Sequence, residues 1–254
     1  MKLASWNVNS IKARQEIVLK WLEEVQPDVL MIQELKGLEF PDAGRFEALG
    51  YHIQTVPQKT YNGVATLSKT EIKPVHNKLP GFEEDEQARY QEMEITGVRM
   101  INIYAPNGNP VETEKYPYKL KWLDHLYAHL CELREKDVPF LVCGDFNIIP
   151  EERDCYDPKA WQGDALFKLE SRERLRKMFY LGLSDALRVF NQQSAQYTFW
   201  DYQGGAFPAN KGIRIDHFLT SPRITDRMTS CTIDVTPRGW EKPSDHTPII
   251  LTVD

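Results

Sequence analysis

Acidic and amide residues, together with one histidine, recur in this sequence at or near the ends of short apolar segments. They are Asn7, Glu34, Asp145, Asn147, Asp216, Asp245 and His246. A single carboxylate at a strand end is often only a cap or a turn residue. Asp216, however, lies in the middle of the predicted strand 213–219, and burying an ionised group without a partner is costly. If the segments end at one edge of a sheet, these side chains form a strongly negative site that a cation must neutralise.

The ligand types indicate which cation. Carboxylate and amide oxygens, accompanied by one imidazole and no thiolate, favour Mg²⁺ or Mn²⁺. Such an ion suits phosphate esters, because it stabilises the charge that develops on the phosphoryl and leaving oxygens. A neighbouring carboxylate would favour the charged form of His246, which can hold a proton and orient either water or a phosphate oxygen.

Other potential ligands carry less weight. The four cysteines have no C-x-x-C spacing, so we expect reduced thiols rather than a zinc site, and Cys143 reads as a core residue. His125 and His129 are four residues apart on a predicted helix but have no third ligand. They are interpreted as surface or packing residues.

Composition bounds the class of protein. The 254 residues are 41% hydrophobic and 27% charged, as in an ordinary globular protein, and no linker or repeat divides them, so one domain over 1–254 is expected. A net charge of −6 argues against a general nucleic-acid binder, although DNA contact needs only a local basic face. No apolar stretch approaches the ~20 residues of a bilayer span, and no signal peptide is visible. We therefore expect a cytoplasmic protein that does not contact membranes.

The pattern of apolar segments predicts an α/β fold with many strands. Strands are predicted at 3–8, 29–32, 51–56, 63–67, 100–104, 138–143, 213–219, 231–235 and 248–253. Helices are predicted around 17–25, with Asn9 or Ser10 as the cap, and at 119–134 and 172–181. Several strands follow one another without a helix between them. Two packed sheets flanked by helices explain this better than one doubly wound sheet.

Six motifs, in order along the chain, resemble the exonuclease III family of apurinic/apyrimidinic endonucleases, within the endonuclease/exonuclease/phosphatase superfamily. They are SWNVNS at 5–10, QE at 33–34, YAPNG at 104–108, GDFN at 144–147, RIDH at 214–217 and EKPSDH at 241–246. The resemblance covers essentially the whole chain. It implies a four-layer αββα sandwich, in which two mixed β-sheets pack together between layers of helices.

The resemblance also implies a metal site. Glu34 would bind the ion directly, assisted by Asn7 and Asp245. Asp145, Asn147 and His246 are candidates for holding a second ion. The implied cofactor is Mg²⁺, with Mn²⁺ as a substitute. From the residues alone, Asn7 could equally cap the chain before the first helix.

Catalytic roles follow from the same resemblance. Asp145, positioned by Asn147, would activate the attacking water or protonate the leaving oxygen. His246, hydrogen-bonded to Asp216, would hold the scissile phosphate or assist the water. Tyr104 would contact the phosphate or orient the nucleophile, although an aromatic at this strand end could also be a packing residue.

Two further groups of residues are implied to contact DNA. Phe199, Trp200, Ile213 and Ile215 resemble the pocket for an extrahelical abasic sugar, although sequence alone would make them core residues. Relatives often have Trp or Leu in place of Ile213, which leaves the ranking of substrates open. Lys59, Asn62, Gly63, Arg172 and Arg176 are the expected contacts to the DNA backbone, and a solvated helix face is the alternative for the two arginines. The segment 154–169 could shape or obstruct the pocket.

The expected function is Mg²⁺-dependent hydrolysis of duplex DNA on the 5′ side of abasic sites, which leaves a 3′-hydroxyl. Exonuclease action from 3′ to 5′ and removal of 3′-blocking groups are expected as well, by a monomer. Phosphoinositide phosphatases and sphingomyelinases share the acidic core but usually carry membrane-facing segments. A catalytically silent DNA-binding module would not need the full set of candidate metal ligands.

Overall fold

The computed structural model describes all residues, 1–254. Its twelve strands are β1 (Lys2–Asn7), β2 (Val29–Gln33), β3 (His52–Val56), β4 (Val64–Ser68), β5 (Lys73–His76), β6 (Tyr90–Ile95), β7 (Val98–Tyr104), β8 (Phe140–Asp145), β9 (Ser184–Asp185), β10 (Asp216–Thr220), β11 (Met228–Ile233) and β12 (Ile249–Val253). Its seven α-helices are α1 (Ile11–Val25), α2 (Ala43–Ala48), α3 (Lys115–Glu135), α4 (Pro158–Trp161), α5 (Leu169–Tyr180), α6 (Ala186–Phe190) and α7 (Pro222–Thr225). Two 3₁₀ turns lie at Glu152–Asp154 and Thr236–Gly239.

The strands form two six-stranded mixed sheets. The first has the order β11-β12-β1-β2-β4-β3 and the second the order β5-β6-β7-β8-β10-β9. Each sheet contains one parallel pair, β1 with β2 and β7 with β8, and its other pairings are antiparallel. Because parallel strands end at the same edge, Asn7 and Gln33 finish side by side, as do Tyr104 and Asp145.

Three apolar clusters hold four layers together. Between the sheets, Met31 of β2 packs with Met100 and Cys143 of the second sheet. On the outer side of the first sheet, Trp21 of α1 is fully buried in a cluster with strand residues. On the outer side of the second sheet, Leu126 of α3 lies in a cluster that also includes residues of α5. The predicted αββα sandwich is therefore confirmed.

Local signals account for part of this agreement. Ser10 caps α1 as predicted, because its hydroxyl accepts a hydrogen bond from the backbone N–H of Ala13 at 3.4 Å. The helix predicted at 119–134 begins earlier, at Lys115, and the one at 172–181 begins at Leu169. No helix in the fold is both long enough and apolar enough to cross a membrane.

Other strand boundaries differ from the prediction. Strands β5, β6 and β9 were not predicted. In β6 the buried positions include Gln91 and Glu92, so an apolar alternation is absent. The strand predicted at 213–219 starts only at Asp216, because Ile213 instead forms isolated bridges to Cys155 and Phe199. Asp216 is therefore the first residue of its strand rather than a residue in its middle.

Candidate active site

The strand ends bring the predicted acidic residues to one place. Asp145 ends β8 and pairs in register with Asp216, which begins the antiparallel strand β10. Asn7 ends β1 in the other sheet, and its amide nitrogen Nδ2 donates to Asp145 Oδ2 at 3.0 Å and to Glu34 Oε1 at 2.8 Å. Asn7 is fully buried, so the prediction that it only caps the chain does not describe its contacts. This amide joins the two sheets across the site.

Gly144 explains how Asp145 reaches this position. The backbone of Gly144 has φ +136°, and a Cβ atom there would lie 1.9 Å from the carbonyl oxygen of Ile103 on the parallel neighbour β7. Only glycine allows this close approach. Asp145 follows it, 2% exposed, and its Oδ1 accepts a hydrogen bond from the backbone N–H of Asn147 at 2.8 Å.

The environment of Asp145 is unusual for a carboxyl group. Burial raises its pKa, the neighbouring His246 lowers it, and the nearby carboxylates of Asp216 and Glu34 raise it again. The resulting pKa is about 7. Asp145 can therefore exchange a proton near neutral pH.

Glu34 lies directly after β2 with a left-handed backbone, φ +59°. Burial raises the pKa of its carboxyl, but the ammonium of Lys36 and the amide of Asn7 more than offset this, so the pKa lies below its ordinary value. Lys36 Nζ lies 2.6 Å from Glu34 Oε2 and also donates to the side-chain oxygen of Asn9. Glu34 is thus held as a carboxylate.

His246 and Asp216 form a buried pair. His246 Nδ1 lies 2.8 Å from Asp216 Oδ2, and His246 Nε2 lies 3.8 Å from Asp145 Oδ2. Burial lowers the pKa of the imidazole, but Asp216 and Asp145 raise it further, to about 10. His246 is therefore protonated at neutral pH, and its Nε2–H points toward the acidic cluster. The other oxygen of Asp216 is buried without a hydrogen-bond partner.

Asn147 and Tyr104 complete the wall. Asn147 donates through Nδ2 to the carbonyl oxygen of Ala105 at 2.9 Å and accepts from Asn107 Nδ2 at 3.1 Å. The Tyr104 ring lies beneath the guanidinium of Arg89, 4.8 Å from its centre. Burial, followed by the charges of Glu34 and Asp145, raises the pKa of the Tyr104 hydroxyl well above its ordinary value. Tyr104 therefore acts as a neutral hydrogen-bonding group.

These groups fit a divalent cation. One ligand atom each from Glu34, Asp145 and His246 lies within 4.8 Å of the other two. Asp245 borders the same cavity but is not part of this cluster, and its Oδ1 accepts a hydrogen bond from Asn9 Nδ2 at 3.1 Å. A bound cation would relieve the repulsion by which Asp216 and Glu34 help to raise the pKa of Asp145.

Comparisons with known proteins agree with this geometry. A sequence profile of the Endonuclease/Exonuclease/phosphatase family matches residues 4–246. The chain belongs to this family.

A similar relative is exodeoxyribonuclease III of Haemophilus influenzae, with 35% identity over 263 residues and 98% of both chains covered. Among solved structures, a 3′ phosphatase from Neisseria, bound to a product DNA hairpin, has a TM-score of 0.96 at 36% identity, covering 100% of this chain and 99% of that one. An AP endonuclease from Archaeoglobus fulgidus has a TM-score of 0.95 at 37% identity, with the same coverage of both chains. The resemblance to the exonuclease III family is confirmed.

The cavity lined by Glu34, Asp145, Asn147 and His246 is the candidate active site, which we call the catalytic cavity, and its volume is 280 Å³. Of the four residues predicted for the sugar pocket, Phe199 and Ile215 line it. Ile213 instead borders a neighbouring cavity, and Trp200 lines neither of the two. Trp200 is 3% exposed and donates through its indole nitrogen to Asn210 Oδ1 at 3.2 Å, so it supports the wall from behind.

The segment 154–169 does shape the cavity. Its residues Trp161, Asp164 and Leu166 form part of the wall. Asp164 Oδ1 accepts hydrogen bonds from Asn109 Nδ2 at 3.0 Å and from the backbone N–H of Leu166 at 2.8 Å. The segment is therefore tied to the loop that follows β7.

The residues predicted to touch the DNA backbone differ in exposure. Lys59 is exposed. Asn62 is 7% exposed, and its amide donates to the side chains of Gln58 and Gln87. Gly63 is buried, and its N–H is bonded to the carbonyl of Ala88. Neither Asn62 Nδ2 nor the Gly63 N–H is therefore free to bind a phosphate in this conformation.

The need for glycine at position 63 has another explanation. Its φ is +85°, and a Cβ there would lie 3.0 Å from the Cβ of Leu35. Close packing against Leu35, rather than approach to a phosphate, accounts for the glycine at this position. On α5, Arg172 and Arg176 are four residues apart and half-buried, and Arg172 lies 4.5 Å above the Phe167 ring. The helix face of these two arginines thus adjoins the segment that shapes the cavity.

Sequence reasoning missed two buried cations near the site. Lys119 is fully buried on α3, and its ammonium donates to the carbonyl oxygens of Asn107, Asn147 and Ala165. Burial lowers its pKa to about 7, partly offset by Asp145. Arg214 is 1% exposed and pairs with Asp154 and Asp185. A lysine or arginine inside an otherwise apolar helical or strand pattern is the signal that could have found them.

Proposed function

We propose that the chain is a divalent-metal-dependent phosphodiesterase of DNA repair. It cleaves duplex DNA on the 5′ side of abasic sites to leave a 3′-hydroxyl, and it removes terminal nucleotides and blocking groups from 3′ ends. The close approach of Glu34, Asp145 and His246 at the edge of both sheets carries this proposal. The names of the relatives, an exodeoxyribonuclease III, a 3′ phosphatase and an AP endonuclease, support DNA as the substrate.

Glu34, with Asn7 and Asp245 nearby, would hold Mg²⁺ or, in its place, Mn²⁺. Oxygen ligands of this kind suit hard ions. A bound Mg²⁺ would supply Lewis-acid stabilisation of the charge that develops on the phosphate. Asp145, Asn147 and His246 remain the candidates for a second ion.

Asp145 moves the proton. In the metal-free protein the Asp145 carboxyl has a pKa of about 7, so it can take a proton from water or return one to a leaving oxygen near neutral pH. The backbone N–H of Asn147 and the amide of Asn7 fix the two oxygens of Asp145, so its orientation is set before substrate arrives. In the reaction the water oxygen bonds to phosphorus, the P–O3′ bond breaks, and the departing O3′ takes up a proton.

His246 and Tyr104 hold the phosphate. Because His246 is already protonated at neutral pH, it is better suited to donate a hydrogen bond to a phosphate oxygen than to remove a proton from water. Asp216 keeps the imidazole charged and oriented. The neutral hydroxyl of Tyr104 is a second donor on the same cavity.

DNA would approach over Lys59 and the face of α5 that carries Arg172 and Arg176. These side chains compensate locally for the net charge of −6. Action as a monomer and in the cytoplasm stays a prediction.

A side-by-side assay on three duplexes tests the proposal. The substrates carry an internal abasic site, a 3′-phosphate or a blunt end, each with Mg²⁺. We expect the abasic strand to be cut to a 3′-hydroxyl product, the phosphate to be released and the blunt end to be shortened. If all three duplexes stay intact while a phosphoinositide or sphingomyelin is hydrolysed, the assignment to DNA is wrong.

A further inference from the structure

A second cavity adjoins the catalytic one. Its volume is 390 Å³, against 280 Å³ for the catalytic cavity, and three residues, Trp161, Phe199 and Asp201, line both. Cavities of this size are large enough for small ligands. The two spaces therefore form neighbouring compartments of one site, and the function proposed above uses only the smaller of them.

The walls of this side cavity are aromatic. Tyr156 and Trp161 come from the segment before α5, and Phe199 comes from the strand-like stretch that precedes the 201–211 loop. Ile213 and Ala206 form an apolar floor, and both are buried. Three rings above an apolar floor suit a flat, apolar-faced ligand.

The backbone explains why these rings meet. Ile213 forms isolated antiparallel bridges to Cys155 on one side and to Phe199 on the other. The backbone N–H of Tyr156 bonds to the carbonyl of Gly212 at 3.1 Å. Tyr156 and Phe199 are thus held on opposite sides of one short strand, and the space between them is part of the fold.

The 201–211 loop is also held in place. Phe207 packs edge-on against Trp200 with ring centres 5.2 Å apart, and the backbone N–H of Lys211 bonds to the carbonyl of Ala206 at 2.8 Å. The side chains of Asp201, Gln203 and Lys211 lie on the cavity lining. The rim therefore offers both hydrogen-bond donors and acceptors around an aromatic interior.

The position of the cavity indicates its ligand. In the reaction proposed above, the sugar on the 3′ side of the scissile phosphate would enter the catalytic cavity, which Phe199 lines together with Asp145 and His246. An abasic sugar ends there, whereas an intact terminal nucleotide also carries a base. A nucleobase has two apolar faces for stacking and a polar edge for groups such as Gln203 and Lys211.

We propose that the side cavity between Tyr156, Trp161 and Phe199 is a nucleobase subsite, which receives the base of the terminal nucleotide during 3′ to 5′ exonuclease action. The inference rests on the proposed function, since it names the substrate group that the same site accepts. It makes removal of a base-bearing nucleotide depend on the side cavity. Release of a 3′-phosphate, which brings no base into the site, does not depend on it.

Tyr156 is the residue that tests this dependence, because it lines the side cavity and not the catalytic one. Tyr156→Ala removes one ring face, and Tyr156→Phe keeps it. We expect Tyr156→Ala to lower kcat/KM for removal of the 3′-terminal nucleotide about 5- to 150-fold, the range for loss of a base–aromatic stack. The 3′-phosphatase rate should stay unchanged, and Tyr156→Phe should retain most of the exonuclease rate.

A matched control is available. Phe190 is 43% exposed, as is Tyr156, and it lines neither cavity. Phe190→Ala should leave both rates unchanged. If Tyr156→Ala lowers the exonuclease and 3′-phosphatase rates equally, or lowers neither, the subsite assignment is wrong.

Product competition on the wild-type enzyme gives a second readout that needs no variant. The probes are dAMP and 2-deoxyribose 5-phosphate, both tested as inhibitors of the 3′-phosphatase reaction with Mg²⁺ present. We expect dAMP to inhibit at least about fivefold more strongly, because its base adds a stack. Equal inhibition by the two compounds would overturn the subsite. Failure to cleave any of the three duplexes would instead overturn the proposed function, so the two failures are distinguishable.

Discussion

Two buried acidic clusters lie close together in this protein and are built in opposite ways. In the first, Asp145 and Asp216 face each other across β8 and β10, with Glu34 nearby. In the second, Asp154 and Asp185 lie around Arg214, only two residues before Asp216. Asp145, Asp216 and Asp154 are buried, and Glu34 and Asp185 are partly buried. Glu34 and Asp145 line the catalytic cavity, whereas Asp154 and Asp185 do not.

The second cluster is balanced by arginines. Arg214 Nε donates to Asp154 Oδ1 at 2.6 Å, Arg214 Nη2 lies 2.8 Å from Asp185 Oδ2, and Arg188 also pairs with Asp154. Burial raises the pKa of Asp154, but Arg214 and Arg188 lower it further, and the result lies below the ordinary value. The same balance, with Arg214 as the main opposing charge, keeps the pKa of Asp185 low. This cluster needs no ligand.

The first cluster has too few positive charges of its own. Lys36 neutralises Glu34, and His246 lies between Asp145 and Asp216, yet the pKa of Asp145 is still raised to about 7. The comparison teaches that buried carboxylates alone do not mark a catalytic site. The distinguishing feature is a carboxylate that the protein leaves uncompensated beside an open cavity.

Asp145→Asn should give the largest effect. Loss of a proton-transferring group typically costs about 10²- to 10⁴-fold in kcat. Because the change removes a carboxylate from a crowded site, the free energy of unfolding should stay the same or rise. Release of phosphate from a 3′-phosphate duplex and urea denaturation measure the two quantities. The exposed residue Asp137 supplies the control variant Asp137→Asn, and a near-normal kcat for Asp145→Asn would remove Asp145 from the chemistry.

Arg214→Met should have the opposite effect, with a large loss of stability and a small loss of kcat. Breaking a buried ion pair by removing one partner costs about 3–5 kcal/mol, because Asp185 loses its arginine and Asp154 keeps only Arg188. Urea denaturation should show this loss, while kcat per folded molecule should fall much less than in Asp145→Asn. Arg223→Met, which breaks an exposed pair with Asp137, is the control and should cost less than about 1 kcal/mol. Equal stability losses for the two arginine variants would contradict the contrast between the clusters.

Mg²⁺ should raise the free energy of unfolding by binding to the first cluster and not to the second. At a concentration 100 times its Kd, an ion that binds only the folded state adds about 2.7 kcal/mol to the free energy of unfolding. This increment should shrink in Glu34→Gln and persist in the control Glu16→Gln, where an exposed carboxylate is changed. Paired urea titrations with Mg²⁺ and with chelator measure it. An undiminished increment in Glu34→Gln would place the ion elsewhere.

The two clusters should also change the free energy of unfolding with pH in opposite directions, and this effect should be smaller. Without metal, the pKa of Asp145 is about 7 in the folded protein and near 3.8 when unfolded. Folded protein therefore keeps a proton over this interval that the unfolded chain has lost, and stability from this group falls as the pH rises from about 4 to about 7. The pKa values of Asp154 and Asp185 are lowered in the folded protein, so these carboxylates stabilise the fold at pH values above their ordinary pKa. That stabilisation is lost as the pH falls through the pKa values of the folded protein.

Denaturation of wild type and Asp145→Asn in chelator, across pH 4 to 7, measures the difference. The stability of the variant relative to wild type should increase steadily with pH. A constant difference over this range would mean that the Asp145 carboxyl titrates as it does in the unfolded chain.

Much of the candidate site could be predicted from sequence, because its residues stand at the ends of recognisable strands. Glu34 follows the apolar strand β2 and Asp145 ends the apolar strand β8. Parallel pairing places the end of β2 beside Asn7 and the end of β8 beside Tyr104, and the packing of the two sheets brings these two edges together. The αββα layers followed from consecutive strands together with the family motifs.

The rest depends on contacts between distant segments. Arg214 and Asp154 are 60 residues apart, and nothing local in the sequence marks them as partners. Strand β6 was missed because its buried Glu92 is paired with Arg99 and hydrogen-bonded to His129 from other elements, so it does not show a strand's apolar alternation. The side cavity likewise arises from bridges to Ile213 that no periodicity predicts.

The dependence of the 3′-phosphatase rate on free Mg²⁺ tests most directly whether the Glu34–Asp145–His246 cluster is a metal site used in phosphate-ester hydrolysis. The rate is measured on a 3′-phosphate duplex, from excess chelator to saturating Mg²⁺, for wild type and Glu34→Gln. We expect no turnover in chelator, a saturable rise with Mg²⁺ in the wild type, and at least a tenfold higher Mg²⁺ requirement in Glu34→Gln. Hydrolysis at full rate in excess chelator would contradict the account.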